Sequence, residues 1–321
     1  MHLRGIGYAF AASCMFGLGA VLAKLLGSEI DAALVAFVDL GVGGLLLTIC
    51  LTFTRTPFLR QLAKLRRADW VNIFLLACPG TSLPLLLIVA GFARTSALEG
   101  GFLLQLNGVA ALIFALLLLG ERIRLRQSLG IVLLLIGSVL VVLMGTQGGN
   151  AGSSIVGDLM ILGGAIGIGF GFIPAKRLTQ RIETLPLTTM RLFVGAGTVL
   201  PVLAFQALFG THSFFWQPTL TTLWVTLPTY ILTNFCLGYL LQQEGLNLLK
   251  AWEMAAIMQT VPIFSTIFAI LLVHDTMTPL QAIGGLIAIA GGIVVSMSNE
   301  ASTTGIVDGK ADLEEVAGQD Q

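Results

Sequence analysis

Residues 99–141 read EGGFLLQLNGVAALIFALLLLGERIRLRQSLGIVLLLIGSVLV, and residues 253–295 read EMAAIMQTVPIFSTIFAILLVHDTMTPLQAIGGLIAIAGGIVV. The two stretches align without a gap at a constant offset of 154 residues. Glu99 meets Glu253, Gln105 meets Gln259 and Gln127 meets Gln281, while Gly130 and Gly137 meet Gly284 and Gly291. Ile113-Phe114-Ala115 falls on Ile267-Phe268-Ala269. Apolar matches come easily in so apolar a chain, but three polar matches in one register do not. Each copy is an apolar run, a short polar break and a second apolar run, so the pattern predicts one helical hairpin present twice.

Hydrophobic residues make up 56% of the chain and charged residues 11%, under half the roughly 25% charge of a soluble domain. That is too little to cover a water-facing surface, and the class expected is an all-α integral membrane protein. A net charge of +0 gives no case for nucleic acid. Cys14, Cys50, Cys78 and Cys236 all lie inside apolar runs and have neither zinc-site nor disulfide-framework spacing, so they read as small packing residues. Gly163, Gly167 and Gly171 recur every four residues. No strand precedes them and no Gly-Lys-Ser/Thr follows, so they read as a close helix contact rather than a nucleotide loop. No metal, cofactor or hydrolase pattern stands out, and an enzyme is not expected.

A spanning helix needs about 20 mainly apolar residues. Ten candidates fit, near 4–24, 32–53, 70–92, 97–119, 128–145, 156–175, 186–208, 219–241, 252–273 and 279–298. The first is read as a retained helix, because it runs past a signal-peptide core without a clear cleavage site. A polar Gly- and Ser-rich linker at 146–155 separates a first repeat, 1–145, from a second, 156–298. Residues 299–321 are acidic and polar and read as a disordered cytoplasmic tail. With the N-terminus in the cytoplasm, fourteen of the 17 Lys and Arg residues fall on the cytoplasmic side, which fits both termini there and an even span count. The repeat reaches the first helices as well. Gly17, Gly19, Ala23 and Lys24 match Gly169, Gly171, Ala175 and Lys176 at an offset of 152, and Gly43 matches Gly195. Five spans per copy is an odd number, so the second copy enters the membrane upside down, as in many secondary transporters.

Leu116-Leu117-Leu118-Leu119-Gly120-Glu121-Arg122-Ile123, followed by Gln127, Gly130 and Gly137, resembles the drug/metabolite transporter superfamily with two EamA-type domains. The resemblance covers roughly residues 5–298. The second copy departs from it, with His274-Asp275-Thr276 where Gly-Glu-Arg is expected. The resemblance implies transport of a small metabolite, often export, across the inner membrane. It also implies that the fifth and tenth spans pack outside a central cavity.

Charged groups in hydrocarbon are costly and usually turn inward, which makes them the first place to look for function. Asp39 and Arg191 occupy the same place in the two repeats, and the family often has Arg at both. They read either as a charge pair near the pseudo-twofold axis or as two independent groups, and an unpaired, buried Asp39 is a candidate proton carrier. Glu99 and Glu253 open matching helices and read either as guards of the two cavity mouths or as plain N-terminal carboxylates favoured by the helix dipole. Gln105 and Gln259 lie about 120° round the helix from those glutamates. With Asn107 and Asn234 they are the candidate substrate ligands, since amides both donate and accept. Trp70 and Trp252 suit the membrane interface. Pro79, Pro84 and Pro262 are expected to break or kink their helices. The reading favoured is an inner-membrane secondary transporter of a small metabolite such as an amino acid, with protons a candidate coupling ion. A non-transporting scaffold or sensor and a membrane-embedded lipid-modifying enzyme are its rivals.

Overall fold

The computed structural model describes residues 2–54, 65–119, 125–147, 154–179, 181–209, 216–249, 257–258 and 260–298. Trp252, Glu253, Gln259, the hairpin turn 120–124, residues 148–153 of the linker and the tail from Asn299 lie outside them. The described chain is helical, with one isolated antiparallel bridge between Ile30 and Trp216. The helices are α1 (His2–Glu29), α2 (Ala32–Thr54), α3 (Arg67–Phe92), α4 (Ala97–Leu104), α5 (Leu106–Leu119) and α6 (Leu125–Gln147). They continue as α7 (Ile155–Thr179), α8 (Thr184–Phe209), α9 (Thr222 to Leu248, in four segments), α10 (Val261–Val273) and α11 (Pro279–Ser298). Six of the described helices, α1, α2, α3, α7, α8 and α9, are long and apolar enough to cross a membrane, and shorter apolar helices fall in α6, α10 and α11. The chain is a multi-pass membrane protein.

Its outer surface is unlike that of a soluble bundle. Large side chains such as Phe53, Phe205, Leu208 and Trp224 point outward, while Ala9, Ala12, Gly17, Ala23, Ala165 and Ala196 fill the contacts between helices. Lipid tails are as apolar as leucine, so helices gain little by hiding large side chains and more by close approach at small residues. The expected glycine stripe behaves this way. A methyl on Gly167 would lie 2.6 Å from Pro84 Cγ of α3, and one on Gly171 would lie 3.0 Å from Gly80 Cα.

Several close contacts come in exchanged pairs. A methyl on Gly17 of α1 would lie 2.6 Å from Phe264 Cβ and 2.8 Å from Ser265 N of α10. One on Gly169 of α7 would lie 2.6 Å from Ala110 Cβ and 2.7 Å from Ala111 N of α5. Gly17 and Gly169 are 152 residues apart, and Ala110-Ala111 and Phe264-Ser265 are 154 apart. The same exchange joins α6 and α11, where Gly137 abuts Gly284 and Ala288 while Gly291 abuts Gly130 and Leu134. It also joins α2 and α8, with Leu192 beside Gly43 and Leu40 beside Gly195.

Three helices depart from straight spans, and each has a local cause. α3 carries a π-turn at Cys78–Ser82, which contains Pro79 and ends just before Pro84. Pro84 lacks the N–H that would close on Gly80 O, so the regular ladder cannot continue there. α9 has two π-turns, Thr222–Thr226 just before Pro228, and Leu232–Gly238. The span expected at 97–119 is two helices joined at Gln105, where the i→i−3 bonds Gln105 N to Phe102 O and Gly108 N to Gln105 O tighten the turn. Gly100, Gly101, Asn107 and Gly108 make this stretch a weak helix former. Pro262 sits at the start of α10 rather than inside it, where its missing N–H costs nothing.

Candidate functional site

The π-turn of α3 exposes backbone polar groups inside the bundle, and Arg191 of α8 meets them. Its Nε donates to Thr81 Oγ1, and its Nη2 donates to Gly80 O at 3.3 Å, the carbonyl that Pro84 leaves without a helical partner. Thr81 Oγ1 in turn donates to Leu76 O at 2.7 Å, and Ser82 shares a 2.7 Å hydroxyl contact with Thr198 of α8. A proline, a threonine and an arginine on two helices thus complete one another.

Asp39, which stands for Arg191 in the first half, has no such complement. It is fully buried, and neither carboxylate oxygen has a hydrogen-bond partner among the described residues. Arg191 is committed to α3 and does not pair with it. Asp39 lies within electrostatic reach of Cys236 in the second π-turn of α9. Asn234, in that same turn, sits against Gly19 of α1, and its Nδ2 is buried without a hydrogen-bond partner among the described residues. The Asp39 carboxylate and the Asn234 Nδ2 are thus both without a hydrogen-bond partner among the described residues.

Gln105 forms the α4–α5 turn and is half-buried, as is Asn107, whose backbone carbonyl faces Gly169 of α7. No side-chain hydrogen bond joins Gln105, Asn107 and Asn234 among the described residues, and the two asparagines contact different helices, α7 and α1. Gln259 and Glu253, their companions in the sequence argument, lie outside the described residues.

A second polar centre occupies the end of the bundle where α1 and α3 finish and α4 and α7 begin. α10 closes on His274 in the left-handed conformation (φ 56°), and this turn brings Asp275 back over α4. Asp275 Oδ2 accepts from Ala97 N at 2.9 Å and Leu98 N at 3.4 Å, while Asp275 Oδ1 pairs with Lys24 Nζ of α1 at 3.1 Å. A carboxylate on the free N–H groups of a helix start is favoured by both hydrogen bonding and the helix dipole. Ser96 Oγ accepts from Glu99 N at 3.1 Å and supplies the side-chain cap of the same helix. Glu99 is fully buried. Thr95 Oγ1 lies 3.1 Å from Glu99 Oε2 and 2.6 Å from Asp158 Oδ1 on α7. At the opposite end, Arg181 pairs with Asp69 at 3.2 Å, and Asp69 also accepts from Arg66 N to cap α3.

Comparison with known proteins agrees with this architecture. The model of the EamA-like transporter family matches residues 3–143 and again residues 155–297. The chain belongs to the EamA-like transporter family. It is 21% identical over 306 residues to an uncharacterized transporter of Methanothermobacter thermautotrophicus, covering 90% of this chain and 85% of that one. It is 23% identical over 289 residues to the uncharacterized transporter YetK of Bacillus subtilis, covering 89% and 84% of the two chains. A crystal structure of 14% sequence identity superposes with a TM-score of 0.64 over 91% of this chain and 96% of the other, which shows the shared fold. This EamA-like chain is a membrane transporter, and its polar interior is to be read as a transporter's.

Sequence reasoning named Glu99 but missed the rest of the second polar centre. Asp158 is an acid in the first turn of a helix, a position that ordinarily needs no functional account. Thr95 is one residue of a short loop, and Lys24 and Asp275 are 251 residues apart. Besides Glu99, a signal was Asp275, which aligns with Glu121 at the offset of 154.

Proposed function

We propose that the chain is a secondary transporter that moves a small metabolite such as an amino acid across the inner membrane by alternating access, with export its direction. In this reading ten spans form two inverted five-helix repeats, 1–145 and 156–298, joined by the linker at 146–155. Both termini are cytoplasmic, including the tail 299–321. Gln105, Asn107, Gln259 and Asn234 bind the substrate, while Asp39, Arg191, Glu99 and Glu253 set charge and gating. Protons are the candidate coupling ion.

The observation that carries this reading is the exchange of contacts. α1 lies on α10 through Gly17 just as α7 lies on α5 through Gly169. Two halves that hold each other through equivalent surfaces have two conformations of comparable energy available, each obtained by exchanging the roles of the halves. The Asp39 carboxylate of α2 and Asn234 Nδ2 of α9, without partners among the described residues, support a ligand in that interior, because buried polar groups without partners are otherwise costly. The test is uptake or efflux of amino acids by reconstituted protein carrying Gln105→Ala or Gln259→Ala. Both variants are expected to raise the half-saturating concentration about tenfold, the effect of one lost hydrogen bond of ~1.4 kcal/mol. Wild-type transport in both displaces the site from these glutamines.

A further inference from the structure

We propose that Lys24 and Asp275 are the latch of one mouth of the transporter, and that α10 rocks away from α1 and α4 about a glycine fulcrum when that mouth opens. The inference rests on the transporter reading for its place in a cycle, while latch and fulcrum are read from contacts alone. α10 lies between α1 and α4, and two sets of contacts hold it there. The deeper set is one of shape. Gly17 of α1 abuts Phe264 and Ser265, and a methyl on Gly101 of α4 would lie 2.5 Å from Ser265 Oγ. Ser265 is fully buried, and its hydroxyl donates within α10 itself, to Pro262 O at 3.1 Å. The outer set is polar: Asp275 joins Lys24 Nζ to the first N–H groups of α4. Lys24 stands seven residues beyond Gly17, so latch and fulcrum are ~10 Å apart along α1. Between them Val21, Ala97, Leu98, Phe102 and Ala269 share one buried apolar cluster. Glycines present no side chains to interlock, and apolar contact is not directional. The directional bonds that oppose tilting therefore lie at the Asp275 end.

The turn that carries Asp275 is built to hold one carboxylate in place. Among the described residues His274 is the non-glycine residue with positive φ, and such a backbone persists only where its surroundings enforce it. Here both ends are tied. His274 N and Asp275 N donate to Ala269 O at the end of α10. Thr278 and Gln281 cap the start of α11 reciprocally, and Gln281 Nε2 donates to Val141 O of α6 at 3.2 Å.

Lys24 and Ala97 belong to the first half of the chain and Asp275 to the second, so this contact must break whenever the halves separate at that end. The Arg181–Asp69 pair at the opposite end also joins the halves, but the Arg181 side chain is 54% exposed against 19% for Lys24. Water screens the more exposed pair. The Asp275 end is thus the more firmly held of the two in this conformation, and Lys24 and Asp275 act as positioning residues that set how often it opens.

The test is the accessibility of the seam between latch and fulcrum. With Cys14, Cys50, Cys78 and Cys236 replaced, Val21→Cys places a thiol at a fully buried position there. In nanodiscs, where both membrane faces meet the reagent, a charged maleimide should label it slowly. Lys24→Met keeps an apolar stem and loses the charge, and Asp275→Asn keeps an oxygen for the α4 N–H groups. Each should speed labelling about tenfold, which is ~1.4 kcal/mol on the opening equilibrium. The double variant should do no more than either single one, and Lys24→Arg should label as slowly as the parent. Unchanged labelling in Lys24→Met and Asp275→Asn overturns the latch, and so does a double variant whose effect is the product of the two. Ile73→Cys, fully buried with Leu178 and Ile182 near the Arg181–Asp69 pair, guards against unfolding. Its labelling should not rise in the latch variants, and a rise equal to that at Val21→Cys overturns the proposal. The readout needs no transported metabolite. A protein that opens in this way and carries nothing defeats the transport reading and leaves the latch standing, whereas a working transporter with unchanged labelling does the reverse.

Discussion

The π-turns Cys78–Ser82 in α3 and Leu232–Gly238 in α9 begin 154 residues apart, yet only one of them is chemically complete. In α3 a proline strands the Gly80 carbonyl, and Arg191 reaches across from α8 to take it together with Thr81. In α9, Gly238 stands where Pro84 would be and Asn234 where Gly80 would be, and Asp39 stands for the arginine. The result is a buried Asp39 carboxylate and an Asn234 Nδ2 that have no hydrogen-bond partner among the described residues. The backbone geometry is kept while the side chains that would satisfy it are not. One break is a strut and the other is a vacancy in the hydrogen-bonding pattern, so the function of an internally duplicated bundle is best sought where its halves differ.

Arg191→Ala should break the comparison most severely. It strands Gly80 O, at about 1–3 kcal/mol for a buried group left unmade, and removes the bond to Thr81 Oγ1, which keeps its own bond to Leu76 O. The melting temperature in detergent should fall by several degrees, and transport should be lost; a wild-type melt would mean that the α3 strut is ornamental. Next in size come Gly17→Leu and Gly169→Leu. Each forces bulk into an α-helical contact at about 1–3 kcal/mol, and if the two contacts are equivalent the two melts should fall together. Clearly unequal losses would show that the exchange of contacts is only approximate. Pro84→Ala is milder, because it returns an N–H that competes with Arg191 for Gly80 O. A double-mutant cycle of Pro84→Ala with Arg191→Ala should give a coupling of about 0.5–1 kcal/mol, and an additive pair would separate the proline from the arginine. The smallest change is expected from Asp39→Asn, within about 0.5 kcal/mol of wild type, since it alters no hydrogen bond seen here. A loss rivalling that of Arg191→Ala would mean that Asp39 is charged and held by a partner.

Much of the fold was legible without coordinates. Apolar runs of about 20 residues marked where helices stand, because a bilayer demands that length and that every backbone group be bonded within the segment. The glycine spacing at Gly163, Gly167 and Gly171 correctly announced a close contact, though not that α3 would be the partner. The prolines announced breaks in α3, but Pro262 proved to start a helix, and the break at Gln105 came from a run of weak helix formers with no proline at all. Of the polar residues, Asp39 and Arg191 were singled out by being charged within apolar runs, and both lie in the interior. Glu99 was singled out as well, yet its neighbours Thr95 and Asp158 were not, since each has an ordinary explanation when read alone.

The sequence by itself determined that the chain spans a membrane, where most of its helices lie, and that it is a duplication, for these follow from composition, periodicity and register. Tertiary structure alone decided which polar groups are paired. Asp39 and Arg191 match in register but do not meet, because Arg191 is drawn to a carbonyl that Pro84 strands on a third helix. Lys24 and Asp275 do meet across 251 residues because a left-handed turn at His274 folds one loop onto the start of α4. Hydrogen bonds and charges act over a few ångströms in space, and position along the chain does not carry that distance.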